Sequence, residues 1–312
     1  MKKFIIKSLK LYLFAILFYL LLLFISGRFL PQPLKPNLIY PKSGYGMSEI
    51  RFTEVDTFKQ VDVLFLGSSH AYRGFDNRKF DAKNITSFNL GSSSQTPIQT
   101  ELLLRRYLNI LNPALVIIEV SPLSFMSDGV ESAPDLIAND QADFEMLRMS
   151  MDLNHIKVYN AALYAFMDRA IGENSIQSKT DIKNYDQYVS GGFVEKSKPP
   201  LSKPYLSSKE KKIIVNEKQL KAFERILKEL EQKQTKVLLV QAPVTKNFYK
   251  SFTNNHYYDS LMSSYVSYIN FNEVLNLKDT LHFYDHHHLT QNGVEIFNDT
   301  LINILKKRYT FF

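Results

Sequence analysis

Two short stretches, far apart in the chain, carry residue types that could do chemistry together. Gly67-Ser68-Ser69-His70 presents hydroxyls on a turn of small residues. Asp285-His286-His287-His288-Leu289-Thr290 presents an imidazole with a carboxylate three positions before it. A serine hydroxyl is a weak nucleophile until a neighbouring base takes its proton, and a carboxylate behind that base orients it and stabilises its charged form. In the order Ser…Asp…His these pieces suit nucleophilic acyl chemistry, with Ser69 as nucleophile, His288 as base and Asp285 as orienting group. The competing readings are a plain turn of small residues, a solvated loop capping the last helix, and a metal site. His282, His286, His287 and His288 are four of the seven histidines, and imidazoles with a carboxylate suit zinc. Adjacent histidines point in different directions, however, and no ligand at regular helical spacing completes the set, so no metal or other cofactor is expected.

Such residues need elements that bring them to one place. The apolar run Val61–Leu66 ends abruptly at Gly67 and reads as a buried strand. Ser87–Leu90, Leu115–Val120 and Lys236–Gln241 read the same way: each is short, and most are nearly continuously apolar, as in a sheet covered on both faces. Helical patterns fall between them. Thr96-Pro97 is a cap followed by proline at the first helical position, opening Ile98–Leu111. Ser208–Gln234 is charged and amphipathic, and Thr290 caps a last helix over Gln291–Lys307. The alternation predicts a three-layer α/β/α, doubly wound, flavodoxin-like parallel sheet. In such a sheet ligands bind beyond the carboxyl ends of the strands, which is where Ser69 falls. An insertion over about 122–207 interrupts the pattern. Its first half reads as helical (143–171), and its polar, proline-rich stretch near 174–206 is expected to be disordered, the whole forming a cap over the site.

The first thirty residues stand apart from the domain at 59–312. Lys2, Lys3, Lys7 and Lys10 precede an uncharged run from Leu11 to Gly27. With its lysines able to snorkel, the segment approaches the ~20 residues a membrane span needs, and the basic end predicts a cytoplasmic amino terminus with the rest exported. No small-x-small site follows the run, which favours an uncleaved single-pass anchor over a signal peptide. Residues 31–58, with Pro31, Pro33, Pro36 and Pro41, read as an extended spacer. The absence of cysteine rules out disulfides, lipoprotein attachment and thiol catalysis. The formal charge of +7 is misleading. Removing Lys2, Lys3, Lys7, Lys10 and Arg28 leaves 33 basic against 31 acidic residues, a net of +2, which provides no basic field for nucleic acid.

These blocks resemble the SGNH (GDSL-type) hydrolase superfamily. Its first block, Gly-Asp-Ser-Leu after a strand, corresponds to Gly67-Ser68-Ser69-His70, which places the nucleophile on Ser69. Its last block, Asp-x-x-His-Leu, corresponds to Asp285–Leu289, followed by Thr290 and Gly293. Its second block, Asn-x-Gly-x-x-Gly, corresponds to Asn89-Leu90-Gly91-Ser92-Ser93-Ser94, with Ser94 at the oxyanion-hole glycine. The resemblance implies an oxyanion hole from the backbone N–H groups of Ser69 and Ser94, with His70, Asn89 and Gly91 as substrate-binding candidates. The third block, Gly-x-Asn-Asp, is absent: the third strand runs into Glu119-Val120-Ser121-Pro122. Loss of one oxyanion donor typically costs ~10²–10³ in rate. Membrane-anchored members lacking this block resemble the exported acyltransferase branch. That implies an esterase or O-acyltransferase, acetyl being the expected group, acting on an exported glycan or cell-envelope polymer beside a multi-spanning membrane acyltransferase. The alternative is a catalytically weak or inactive SGNH-fold protein for glycan binding or assembly.

Overall fold

The structure, a computed structural model, describes residues 1–172, 182–183, 185–206 and 209–309. The strands, in chain order, are β1 (Val63–Leu66), β2 (Ser87–Asn89), β3 (Leu115–Glu119), β4 (Ile182–Lys183), β5 (Asp186–Val189), β6 (Phe193–Lys196), β7 (Lys236–Gln241) and β8 (Tyr268–Asn270). Five of them form a parallel sheet in the order β2-β1-β3-β7-β8, and β4-β5-β6 form a separate antiparallel ribbon. The five-strand order is that of flavodoxin-like doubly wound sheets, whose direction of winding reverses between β1 and β3. β1 reads Val-Leu-Phe-Leu and is buried throughout. Its alternate side chains divide between two cores, Leu64 and Leu66 on one face, Val63 and Phe65 on the other, as the two-residue period of a strand requires.

Eight of the helices matter here: α1 (Lys2–Phe29), α2 (Ser48–Glu54), α3 (Ser69–Tyr72), α4 (Pro97–Leu111), α5 (Phe144–Leu153), α6 (Ile156–Ala170), after β6 α7 (Glu217–Gln232), and α8 (Gln291–Arg308), the last helix among the described residues. α4 and α7 cover one face of the sheet through Leu103, Leu104, Phe223 and Ile226. α8 covers the other through Val294, Phe297 and Leu301. α4 begins where the sequence indicates. The Thr96 N–H donates to Gln99 Oε1 at 2.7 Å in a capping box, which satisfies amides that a helix start leaves without partners.

Four expectations are corrected. The sheet has a fifth strand, β8, a polar three-residue edge segment with no apolar run to signal it. The helix expected over Ser208–Gln234 begins only at Glu217, where the Asn216 side chain accepts from Lys218 N–H at 2.9 Å. The proposed spacer at 31–58 is folded: it contains α2, whose Arg51 is fully buried, donating to Gly192 O at 3.0 Å and Gly46 O at 2.9 Å over the Tyr72 ring. Lastly, within the stretch near 174–206, β5 and β6 pair in register, and Arg73 clamps Asp186 with two bonds of 2.7 and 3.0 Å. Residues 174–181 and 184 of that stretch lie outside the described residues.

α1 is the one helix among the described residues long and apolar enough to cross a membrane, with mean hydropathy 2.3 over its most apolar window. Nearly all of it is exposed, Leu23 being its buried residue.

Candidate active site

β1 delivers Ser69 through a turn that only glycine fits. Gly67 has φ 139°, and a Cβ there would lie 2.7 Å from Glu119 Cβ and 3.0 Å from Glu119 O. The chain therefore passes hard against β3 and turns at once into α3, whose first residue is Ser69. Its N–H belongs to the helix start, where amides have no internal partner. Ser68 caps α3, its side chain accepting from His70 N–H at 3.3 Å. Its hydroxyl donates to Glu119 Oε2 at 2.9 Å and lies 3.2 Å from His70 Nδ1.

The Asp285–His288 turn is held by its own carboxylate. Asp285 Oδ1 accepts the backbone N–H groups of His287 (2.9 Å) and His288 (2.8 Å), while Oδ2 lies 2.8 Å from His288 Nδ1. At the far side of the same ring, His288 Nε2 lies 2.8 Å from Ser69 Oγ. Tyr284 stacks flat on the His288 ring, 5.5 Å between centroids, which fixes its plane. Burial works to raise the Asp285 carboxyl, but the hydrogen bond and charge of His288 outweigh it and hold it well below the usual carboxylate range. An ionised carboxylate only accepts. His288 Nδ1 therefore carries the proton, Nε2 has its lone pair toward Ser69, and the serine hydroxyl donates to it.

α8 supports this turn from behind. Thr290 sits at its N-cap, but its hydroxyl donates to Leu281 O at 2.9 Å instead of capping the helix. A Cβ on Gly293 would meet His282 O at 2.5 Å, so glycine lets the helix approach the loop.

The other expected residues separate into two groups. Ser94 lines the same hollow as Ser69, of about 280 Å³, together with Ser68, His70, Leu123, Ser124, Ser127 and His287. Ser94 has φ 52°, a left-handed conformation suited to glycine that serine adopts here at some cost. His70 lines the hollow but is only 6% exposed. Burial, then His287 and His288, push it well below its usual range. Asn89 and Gly91 do not line the hollow, which corrects their assignment to substrate. Asn89 is fully buried. Its amide donates to Ala71 O at 2.9 Å and Phe75 O at 3.3 Å, and its Oδ1 accepts from Gly91 N–H at 3.0 Å. These bonds tie the end of β2 to the segment after the nucleophile turn.

Glu119 stands where the third block would begin. Its carboxyl is raised from 4.5 to about 7 by burial, against hydrogen bonds from Ser68 and the Ser121 backbone. Its contacts are with the turn that carries Ser69 and not with the hollow. The residue that sequence reading passed over is Ser124, in the short helix Pro122–Met126 after β3; only its position downstream of the switch-point strand could have signalled it.

Among the described residues, two groups bring metal-ligating atoms within 4.8 Å of one another: His70 with His287 and His288, and Asp285 with His286 and His287. His282 Nδ1 accepts from Lys278 N–H at 2.9 Å, away from the others, and His286 stacks on Tyr205 at 5.0 Å. A cation in the first group would have to take His288 from Ser69 or Asp285, since both its ring nitrogens are engaged. A larger hollow of about 430 Å³ is lined by Pro243, Lys246, Tyr249 and Asn272, but none of the Ser–His–Asp groups reaches it.

No protein-family model and no curated relative matches this chain. Two crystal structures are similar in outline. One is a candidate acylhydrolase from Bacteroides fragilis, at 12% identity and TM-score 0.39, covering 80% of this chain and 88% of that one. The other is a GDSL-like lipase from Bacteroides thetaiotaomicron, at 12% identity and TM-score 0.41, covering 85% and 99%. At such identity and overlap they carry no inference about activity.

Proposed function

We propose that the chain is a serine-dependent acyl-ester hydrolase or O-acyltransferase of the SGNH type, held in a membrane by α1. The observation that carries this reading is the continuous line Ser69 Oγ–His288 Nε2–His288 Nδ1–Asp285 Oδ2, with both gaps at 2.8 Å, at the β1/β3 switch point of the sheet. In the proposed reaction His288 Nε2 takes the Ser69 proton as Ser69 Oγ bonds to the acyl carbonyl carbon. The backbone N–H groups of Ser69 and Ser94 receive the oxyanion. His288 then gives its proton to the departing alkoxide, leaving an acyl-serine. A second hydroxyl, from water or an acceptor alcohol, loses its proton to His288 and attacks the acyl carbon, and as the bond to Ser69 Oγ breaks His288 returns that proton to Ser69. Asp285 stays ionised and stabilises the imidazolium.

The proposed substrate is an acyl ester, acetyl by preference, on an exported glycan or cell-envelope polymer. Lys2, Lys3, Lys7 and Lys10 support a cytoplasmic amino terminus with the domain outside. A multi-spanning membrane acyltransferase as partner belongs to the same proposal. The experiment is hydrolysis of an activated acetyl ester by the purified full chain, with and without a chelator. Chelator-insensitive activity that Ser69→Ala abolishes supports the reading. A folded chain with no activity, even with alcohol acceptors present, favours the non-catalytic binding or assembly role. Activity lost on chelation and restored by zinc moves the chemistry to the histidines.

A further inference from the structure

α1 does not leave the domain on a free tether. Its outer part runs parallel to α6: Tyr19 Oη donates to Asn160 Oδ1, Phe24 stacks on Tyr164 at 6.2 Å, and Arg28 lies 4.0 Å from Asp168. The approach is close, since a Cβ on Gly27 would enter the Tyr164 ring at 2.2 Å. On the chain that follows, Lys35 Nζ donates back to Gly27 O of α1 at 2.8 Å and Lys42 pairs with Asp168 of α6 at 2.9 Å.

This contact conflicts with a domain standing clear of the bilayer. The uncharged run Leu11–Gly27 is 17 residues, about 25 Å of helix against a hydrocarbon layer of ~30 Å. Removing the portion from Tyr19 onward, which packs on α6, leaves about 12 Å. Counting back to Phe4, past the lysines, leaves only about 22 Å. A spanning α1 must use the very residues that touch α6, so α6 has to enter the outer part of the bilayer with it.

The outward faces of α6 and its neighbour α5 have the surface for that environment. Phe144, Leu147 and Met151 follow one another along α5, and Ile156 and Leu163 along α6, with Ile171 just past its end. These six are 37% to 70% exposed. The intervening Val158, Ala161, Ala162 and Ala165 point into the core. The charged groups nearby are long or already paired: Arg148 with Glu101, Asp152 with Arg225, and Lys157 with Glu131. Their heads can reach the headgroup layer while the apolar stripe faces lipid.

We propose that the outward face of α5 and α6 is a lipid-contacting surface that seats the domain in the outer leaflet edge beside α1. It rests on the reading of α1 as a membrane span. The fixed seat means that the Ser69 hollow meets substrate at a constant height and tilt above the bilayer, without a swinging linker.

The chain has no tryptophan, so one introduced indole reports alone. Leu163→Trp tests the surface and Leu17→Trp tests α1. Ile296→Trp, 39% exposed on α8 across the sheet, is the aqueous control. Each full-length variant is reconstituted in phosphatidylcholine vesicles with brominated acyl chains and titrated with acrylamide. Lipid quenching at Leu163→Trp comparable to Leu17→Trp, with Ile296→Trp quenched by acrylamide alone, is the expected result. If Leu17→Trp is quenched by lipid but Leu163→Trp behaves like Ile296→Trp, the lipid surface is refuted and the anchor stands. Shielding of Leu163→Trp from both quenchers means that protein covers the face, which also refutes it. No lipid quenching at Leu17→Trp removes the anchor and the surface together.

Discussion

Asp285→Asn isolates the role of the half-buried carboxylate because it nearly preserves shape. The wild-type carboxylate accepts three bonds: backbone N–H groups of His287 and His288 on Oδ1, and His288 Nδ1 on Oδ2. An asparagine must turn its oxygen one way. Facing the two backbone donors, it keeps two bonds and sets its NH₂ against His288 Nδ1. Facing Nδ1, it keeps one and sets NH₂ against two N–H donors. At roughly 1 kcal/mol per net bond, with unpaired donors costing more, the first orientation wins. His288 Nδ1 then becomes an acceptor and Nε2 carries the proton, so Nε2 can no longer take one from Ser69. The expected loss in kcat is ~10⁴-fold, about 5 kcal/mol of transition-state stabilisation, as in other triads with the wrong tautomer. The thermal midpoint should barely move, since the turn keeps its backbone bonds. The assay is hydrolysis of an activated acetyl ester by wild type and variant at equal folded fraction. A loss smaller than about tenfold in a folded variant refutes the assignment of Asp285 as the group that orients the base.

Three further outcomes follow from the same geometry. The Glu119 carboxyl has its folded value raised from 4.5 to about 7, so the folded state holds that proton more tightly than the unfolded chain. The cost of its charge is absent below 4.5, grows as pH rises, and is complete above about 7, where it amounts to at most ~3 kcal/mol. Glu119→Gln keeps an oxygen for Ser68 and should raise the thermal midpoint above pH 7 relative to wild type, the gap closing toward acid; parallel curves contradict it. Asn89→Ala leaves two carbonyls and one amide without their buried partner and should lower stability by ~2–3 kcal/mol, read as a shifted urea midpoint at unchanged slope. Among the histidines, His288→Gln should cost ~10³-fold or more in rate and His286→Gln less than tenfold, His286 being engaged with Tyr205 and Phe248; equal losses at His286, His287 and His288 would point to a shared metal.

The groups that meet at Ser69 could be read in the sequence because each is set by local rules. A strand ending in glycine exposes the next side chain, and Asp-x-x-His closes its own turn through Asp285 Oδ1. The parallel sheet was legible from apolar runs such as Leu115–Glu119 and from the cap at Thr96. What the sequence hid depends on partners distant in the chain. β8 has only the edge of β7 to define it. The ribbon β5–β6 looks polar because its order comes from Arg73 on Asp186 and from Gly191 O accepting Asn89 N–H at 2.7 Å. The prolines of 31–58 suggested a spacer, whereas a buried Arg51 holds it in the domain, and no pattern rule expects an arginine to be buried. Asn89 falls in the block that the SGNH resemblance ties to substrate, but it is fully buried and its bonds are spent on the fold.

The central claim is that Ser69 is a nucleophile activated by His288, and covalent capture tests it most directly. A fluorophosphonate added to the full-length protein should form a single adduct, located by peptide mass spectrometry on Ser69, and His288→Gln should abolish it while the chain stays folded. Ser68, whose hydroxyl is committed to Glu119, should remain unmodified. An adduct on Ser68, or equal labelling of Ser69 with and without His288, would contradict the proposed site.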